Sequence, residues 1–190
     1  MRRDRGLSLR QVNASLAADF RSVLDRAGEE AHRCLCTVAH VESWRDPSLA
    51  APCRERILAS GRPDGFLLYR GAEAIGWCQA GRRDELPLLA HGRDLPADPD
   101  VWAISCLVLV PEVRHRGMCH ILIRYVLEEL RGRGVPRVQA FACRYREDED
   151  TTAFIEFPES VCRKAGMTLD QDHPMRPIYG LALSPPTPPA

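Results

Sequence analysis

The pattern of apolar and polar positions predicts helices at the start of the chain and strands after them. Between residues 14 and 27 the apolar side chains repeat at helical spacing, and Gly28 follows, so this segment predicts an amphipathic helix. A second helix is predicted over residues 47–60, because a proline and a serine begin this segment and a glycine follows it.

Short apolar runs predict the strands. Residues 65–81 contain two such runs around a glycine-containing turn, which is the pattern of a hairpin. Single strands are predicted over 101–110, 136–145 and 177–183. A helix ending near Arg131 and a short helix near 156–164 lie between these strands. Because strands both meet in a hairpin and alternate with helices, we expect a mixed sheet of the α/β (α+β) class with helices on its faces.

The remaining segments suggest the domain limits. The charged, proline-rich residues 81–100 and the acidic residues 146–153 are typical of loops. We expect residues 1–13 to be an N-terminal extension, 14–183 to be a single domain and 184–190 to be a disordered proline-rich tail.

Composition excludes several classes of function. The 26 basic and 26 acidic residues give zero net charge, whereas a general nucleic-acid binder needs a basic excess. No run approaches the ~18 apolar residues of a membrane span. The basic start of the chain lacks the apolar segment of a signal peptide, so we expect a cytoplasmic protein.

Eight cysteines are spread along the chain, several of them inside apolar runs. This placement is typical of reduced cysteines that pack as small apolar side chains. Cys34, Cys36 and His40 form the one suggestive group, but the two cysteines are closer than in most zinc sites. We therefore expect no metal, and a metal or redox sensor at this group is the alternative.

The stretch "RHRGMC" at residues 114–119 lies between the strand 101–110 and the following helix. The first turn of a helix presents backbone N–H groups without intrahelical partners, and the helix dipole adds positive charge there. A glycine lets an anion approach the backbone, and the basic side chains add charge. The turn therefore predicts a phosphate or pyrophosphate site, with an ordinary solvated turn as the alternative.

These residues resemble the acetyl-CoA signature of the GNAT superfamily of N-acetyltransferases, Arg-x-x-Gly-x-Gly/Ala after a strand and a proline. Arg114 and Gly117 match this signature, and Cys119 replaces the last small residue. The segments "EAIGWCQAG" and "ESVCRKAGM" also resemble family elements. The resemblance covers about residues 14–183.

The resemblance implies a sheet splayed between the fourth and fifth strands, with acetyl-CoA in the gap. Backbone groups of Leu107, Val108 and Leu109 would hold the pantetheine arm. The pyrophosphate would be bound by the turn and the start of the helix, that is by Arg114, His115, Arg116, Gly117, Met118, Cys119 and His120. The implied reaction is direct attack by a primary amine of a small molecule or a protein, in a ternary complex.

The catalytic residues are less clearly indicated. Many relatives place an acidic tyrosine four residues before the late glycine, where this chain has Cys162. Cys162 either donates the proton or only packs the helix, and Tyr145 is a substitute acid. Candidates for the base, each of which could instead be a surface or packing residue, are His40, Glu42, Asp84 and Glu85.

The absent tyrosine also leaves open a non-catalytic acyl-CoA-binding or regulatory module. The sequence does not identify the acceptor. The final strand and its neighbours could pair with a second subunit to form a homodimer.

Overall fold

The computed structural model describes residues 6–28, 52, 55, 58, 59, 65–86, 95–144 and 158–183. Within these ranges the strands are β1 (Leu7–Gln11), β2 (Gly65–Arg70), β3 (Glu73–Arg82), β4 (Val101–Leu109), β5 (Arg137–Phe141), β6 (Thr168–Gln171) and β7 (Ile178–Ala182). The α-helices are α1 (Ala17–Ala27), α2 (Met118–Gly132) and α3 (Glu159–Lys164). No helix in this part of the chain has the length and apolar character needed to cross a membrane.

The strands form one mixed sheet in the order β1-β2-β3-β4-β5-β7-β6. Only β4 and β5 are parallel, and all other neighbours are antiparallel. The α2 helix forms the crossover between the parallel strands, as such a pair requires. The predicted mixed sheet is therefore confirmed.

Helices pack on both faces of the sheet. Trp77 of β3 contacts Phe20 of α1, with ring centroids 4.6 Å apart. The neighbouring Gly76 points to the other face, where an added Cβ would meet the side chain of Leu122 in α2. Because side chains alternate along a strand, α1 and α2 cover opposite faces. Most of the buried apolar residues form one core cluster between these layers.

The parallel pairing of β4 and β5 is short. It runs from Val101 opposite Arg137 to Ile104 opposite Ala140. Beyond this point β4 continues along β3 to Leu109. The chain after β5 instead follows the β7 side, where the N–H of Ala142 donates to the carbonyl of Pro177 (3.1 Å). The sheet therefore opens between its fourth and fifth strands, as the resemblance implied.

A β-bulge marks the start of this opening. Gln79 of β3 lies opposite Cys106, and Ala80 lies opposite Ile104, so Ser105 is an extra residue in β4. Bulges bend a strand and increase its local twist. The bulge therefore bends β4 at the position where its pairing with β5 ends.

Most predicted elements are present with small changes at their ends, but two strands were missed. Residues 7–11, assigned above to an N-terminal extension, form β1 and pair with β2. The four residues of β6 are all exposed and pair with β7. Because β7 lies between β5 and β6, the final strand has no open edge for a second subunit, whereas its neighbour β6 lies at the edge of the sheet.

Other predictions fall partly outside the described residues. This applies to most of the predicted helix 47–60, of which Pro52, Glu55, Leu58 and Ala59 are helical, and to residues 184–190. The late helix begins at Glu159, directly after Pro158. None of the five described cysteines, Cys78, Cys106, Cys119, Cys143 and Cys162, is part of a disulfide.

We expect Gly65→Ala to destabilise the fold more than Gly71→Ala. A Cβ at Gly65 would lie 2.3 Å from the carbonyl oxygen of Cys78 and 2.4 Å from a ring atom of Trp77. Such overpacking costs about 3 kcal/mol. Gly71 has φ +61° but nothing within 4 Å of an added Cβ, so alanine there costs only the left-handed strain of about 1 kcal/mol. Urea denaturation of both variants measures the difference, and equal losses would contradict the close packing at Gly65.

Candidate functional site

The edge of β4 beyond Ile104 forms one wall of the candidate site. On one side Leu107, Val108 and Leu109 pair with β3. On the side of β5, no strand of the described ranges pairs with them. Buried backbone N–H and C=O groups need hydrogen-bond partners. This edge can therefore hold an extended ligand by its backbone, while the side chains of the three residues remain in the core.

The turn after β4 leads directly into α2. Pro111–Val113 form a short 3₁₀ turn, and His115 and Gly117 follow in the left-handed region with φ 57° and 72°. The α2 helix begins at Met118, and among the described residues no side chain caps its amino end. Its first amide groups can therefore bind an anion, favoured by the helix dipole. His115 and Arg116 are exposed beside this end, and Cys119 and His120 are half-buried in the first turn.

Arg114 has a different position from the other basic residues of the turn. Its Nε donates to the carbonyl of Leu109 (2.9 Å), and its Nη2 donates to the carbonyl of Ala27 (2.8 Å). The side chain therefore clamps the ends of β4 and α1 to the turn that precedes α2. A guanidinium is suited to this contact because its donors lie in a rigid plane.

A groove of about 400 Å³ runs along α2. It is lined by residues of α2, α3 and β7, namely His120, Ile121, Arg124, Leu127, Glu128, Arg131, Lys164, Ala165 and Leu181. Four of these side chains are basic, one of them the histidine, and one is acidic. Burial, together with the charge of Lys164, lowers the pKa of His120. The groove therefore extends the positive surface from the amino end of α2 along the helix.

Cys162 lies on α3 with no exposed surface. Burial, together with the nearby charge of Glu159, raises the pKa of its thiol to about 12. A free thiol has a pKa of about 8.5. Proton transfer from Cys162 to a leaving thiolate is therefore unfavourable, and this environment argues for packing over acid catalysis.

The other catalytic candidates are not brought to the gap in the described part of the chain. Asp84 accepts hydrogen bonds from Arg83 and from the N–H of Asp98, so it holds a turn. Glu85 is exposed in the same turn, beside the amino end of β4. The remaining candidates, Tyr145, His40 and Glu42, lie outside the described residues, as do Cys34 and Cys36.

An ion-pair network that was not predicted from the sequence lies at the start of α3. Glu159 pairs with Arg144 (3.1 Å) and accepts a hydrogen bond from Tyr179 (2.9 Å). Arg163 pairs with Glu159 (3.1 Å), and Asp172 pairs with Arg144 (3.0 Å). These contacts fix α3 to β7 and to the end of β5. Only the Glu159–Arg163 pair is local; the contacts of Arg144 and Tyr179 join residues 15 to 28 positions apart, so the linear pattern gave no signal for them.

A family model described as acetyltransferase (GNAT) family matches residues 26–157, which include β4, the turn and α2. The chain belongs to the GNAT acetyltransferase family. The resemblance of the Arg114–Cys119 signature is thereby confirmed at the level of the family. Family membership supports acetyl transfer as the general activity. A search of curated protein sequences found no match.

Solved structures support the same fold. The aminoglycoside acetyltransferase AAC(6')-Ib in complex with coenzyme A has a TM-score of 0.59 and 18% identity, covering 93% of this chain and 94% of that one. The PaiA N-acetyltransferase of Thermoplasma acidophilum with coenzyme A has a TM-score of 0.56 and 12% identity, covering 93% and 98%. The ribosomal-protein-S18-alanine N-acetyltransferase of Escherichia coli has a TM-score of 0.52 and 11% identity, covering 96% and 97%.

We expect Arg114→Met to destabilise this GNAT protein by about 2 kcal/mol, since hydrogen bonds to charged groups contribute about 1.5–3 kcal/mol. The change removes the donors to Leu109 and Ala27 while keeping an unbranched side chain. Arg116→Met is the matched control, because Arg116 is exposed in the same turn. Chemical denaturation measures both variants. Similar free energies of unfolding for the two would show that the clamp contributes little.

Proposed function

We propose that the protein is an acetyl-CoA-dependent N-acetyltransferase that transfers the acetyl group to a primary amine of a small molecule or a protein. The observation that carries this proposal is the adjacency of the open β4 edge and the uncapped amino end of α2. An extended acyl arm fits the strand edge, and a diphosphate fits the helix end. Coenzyme A carries both groups in one molecule.

The proposed contacts follow the chain from the gap to the groove. Backbone groups of Leu107, Val108 and Leu109 hold the pantetheine arm. The residues from His115 to His120 surround the diphosphate, and Arg114 keeps the turn in place. The basic groove along α2, with Arg124 and Lys164, takes the adenosine end and its phosphate.

The proposed reaction is direct attack in a ternary complex. The lone pair of a neutral amine forms the new C–N bond at the thioester carbon, and the C–S bond breaks with its electron pair leaving on sulfur. A backbone N–H of β4 stabilises the oxyanion between these events. The ammonium proton passes to water or to a base, and the thiolate takes up one proton.

Proximity contributes most of the rate in this proposal. Holding the two reactants together supplies effective molarities that lower the barrier by about 7–11 kcal/mol. Tyr145, one residue after the ion-paired Arg144, is the proposed proton donor to sulfur. Cys162 is assigned to packing because it is buried with a raised pKa. Glu85 is retained only as a base that acts through water, since its side chain is exposed.

The burial of Cys162 also favours the rival function, a module that binds acyl-CoA without transfer. The two functions differ in one assay. Release of free thiol from acetyl-CoA that depends on added amines supports the enzyme. Binding without such release across a panel of primary amines supports the non-catalytic module.

We expect Gly117→Glu to weaken acetyl-CoA binding strongly and Gly117→Gln largely to retain it. Both variants carry the same left-handed strain, and an added Cβ meets nothing within 4 Å at this position. They differ only in the charge facing the diphosphate. Like charges about 4 Å apart repel by about 1–4 kcal/mol, so we expect about a hundredfold difference in affinity. Calorimetry with both folded variants and the wild type measures it. Equal affinities would place the diphosphate elsewhere.

We expect coenzyme A to raise the pKa of His120. In the free protein burial and Lys164 lower this pKa below the ordinary value. A phosphate near the ring favours the protonated form, so the midpoint moves to higher pH in the complex. An NMR titration of the imidazole C–H signals with and without coenzyme A measures the shift, and His120→Gln identifies the signal. An unchanged midpoint at saturation, with ionic strength matched by sodium chloride, would exclude phosphate near this side chain.

A further inference from the structure

Ser105 occupies a distinct position in β4. It is the extra residue of the β-bulge, and it is the first residue beyond the parallel pairing with β5. Among the residues of β4 beyond its pairing with β5, Ser105 is also the one with partial exposure, because Cys106 to Leu109 are buried. Its side chain is therefore the polar group at the point where the gap between the strands begins.

The Ser105 hydroxyl lies on the face of the sheet that α1 covers. It donates a hydrogen bond to Oε1 of Gln79. Gln79 is two residues from Trp77 in β3, so both side chains project from the same face, and Trp77 contacts Phe20 of α1. On the other face α2 and α3 bury Met118, Leu122 and Cys162. The Ser105 hydroxyl therefore borders the gap on the α1 face, opposite to these two helices.

The hydrogen bond to Gln79 determines whether Ser105 can act toward a ligand as a donor or as an acceptor. The amide oxygen of Gln79 can only accept, and Gln79 is 1% exposed. A serine hydroxyl has one proton, and here that proton is used by Gln79. The Ser105 oxygen keeps its lone pairs, so it is available to a ligand as a hydrogen-bond acceptor.

The side-chain amide of Gln139 is also buried, and both its oxygen and its nitrogen already have hydrogen-bond partners. Gln139 accepts a hydrogen bond from Arg83 (2.9 Å) and donates one to Asp170 (3.0 Å). Gln139 of β5 is therefore linked through its oxygen to the turn after β3 and through its nitrogen to β6. Gln79 and Gln139 are buried, whereas Ser105 is partly exposed at the gap and has acceptor capacity for a ligand.

We propose that Ser105, oriented by Gln79, accepts a hydrogen bond from an N–H of the acceptor amine and so directs the amine lone pair at the thioester carbon. This inference rests on the proposed N-acetyltransferase function. Ser105 takes no proton in this step. It holds one N–H while the C–N bond forms and the C–S bond breaks, and the ammonium proton leaves by the route described above. The acceptor class is therefore an amine that presents an N–H donor.

Two coenzyme A thioethers test the inference without knowledge of the natural acceptor. One carries –CH₂–C(=O)–NH–CH₃ on sulfur, and the other carries –CH₂–C(=O)–O–CH₃. They differ in the N–H that Ser105 would bind. We expect the wild type to bind the amide about fivefold more tightly than the ester, as one neutral hydrogen bond allows. In Ser105→Ala this preference disappears, whereas affinity for unmodified coenzyme A is unchanged.

Two further variants serve as controls for folding and for orientation. Ser105→Thr keeps the hydroxyl, so it retains most of the amide preference. Gln79→Leu keeps Ser105 but removes its acceptor, so the preference is reduced. Thermal denaturation confirms that each variant is folded. Comparing ratios between variants cancels the general difference between an amide and an ester.

The outcomes separate this inference from the proposed function. If the folded wild type and the Ser105 variants bind coenzyme A equally but the amide preference survives in Ser105→Ala, the inference is wrong and the cofactor site stands. If the folded wild type binds neither coenzyme A nor the thioethers, the proposed function fails and the inference fails with it. Loss of the amide preference in Ser105→Ala, with most of it retained in Ser105→Thr, supports the role of Ser105.

Discussion

The short pairing between β4 and β5 is the constraint on which the candidate site depends. Backbone groups in a sheet interior normally find partners on both sides, yet past Ile104 β3 is the one described strand that pairs with β4. The chain after β5 is held on its other side by residues before β7. Each strand is thus fixed by its outer neighbour, and no strand pairing of the described ranges spans the gap. The bulge at Ser105 bends β4 at the position where the gap begins.

The geometry of the gap is linked to α2 through a short and well-fixed turn. Few residues separate Leu109 from Met118, and Arg114 ties this turn to the carbonyl groups of Leu109 and Ala27. The left-handed conformation of Gly117 then allows the helix to begin without a capping side chain. The edge of β4 and the amino end of α2 are therefore held at a fixed distance and orientation before a ligand binds. Such preorganisation reduces the entropy that binding must overcome.

Local patterns predicted the elements with strong periodicity, such as the β2–β3 hairpin, β4 and α2. They did not predict β1 and β6, because these edge strands are half-exposed or fully exposed and form by pairing with distant residues. The anion site could be inferred from Gly117 and its neighbours. The clamp by Arg114 could not, since Ala27 lies 87 residues away. The bulge at Ser105 likewise depends on the register against β3, which no local pattern contains.

The position of Cys162 shows how the fold limits the chemistry. A group at this place in α3 is held by core packing, while the Glu159 network fixes the start of the helix. A small thiol fills that space at the cost of its acidity, because burial favours its neutral form. In the described part of the chain, Asp84 is occupied by hydrogen bonds and Glu85 lies beside the other end of β4. Under the proposed function, orientation of the amine and the thioester therefore carries more of the catalysis than proton transfer by these three residues.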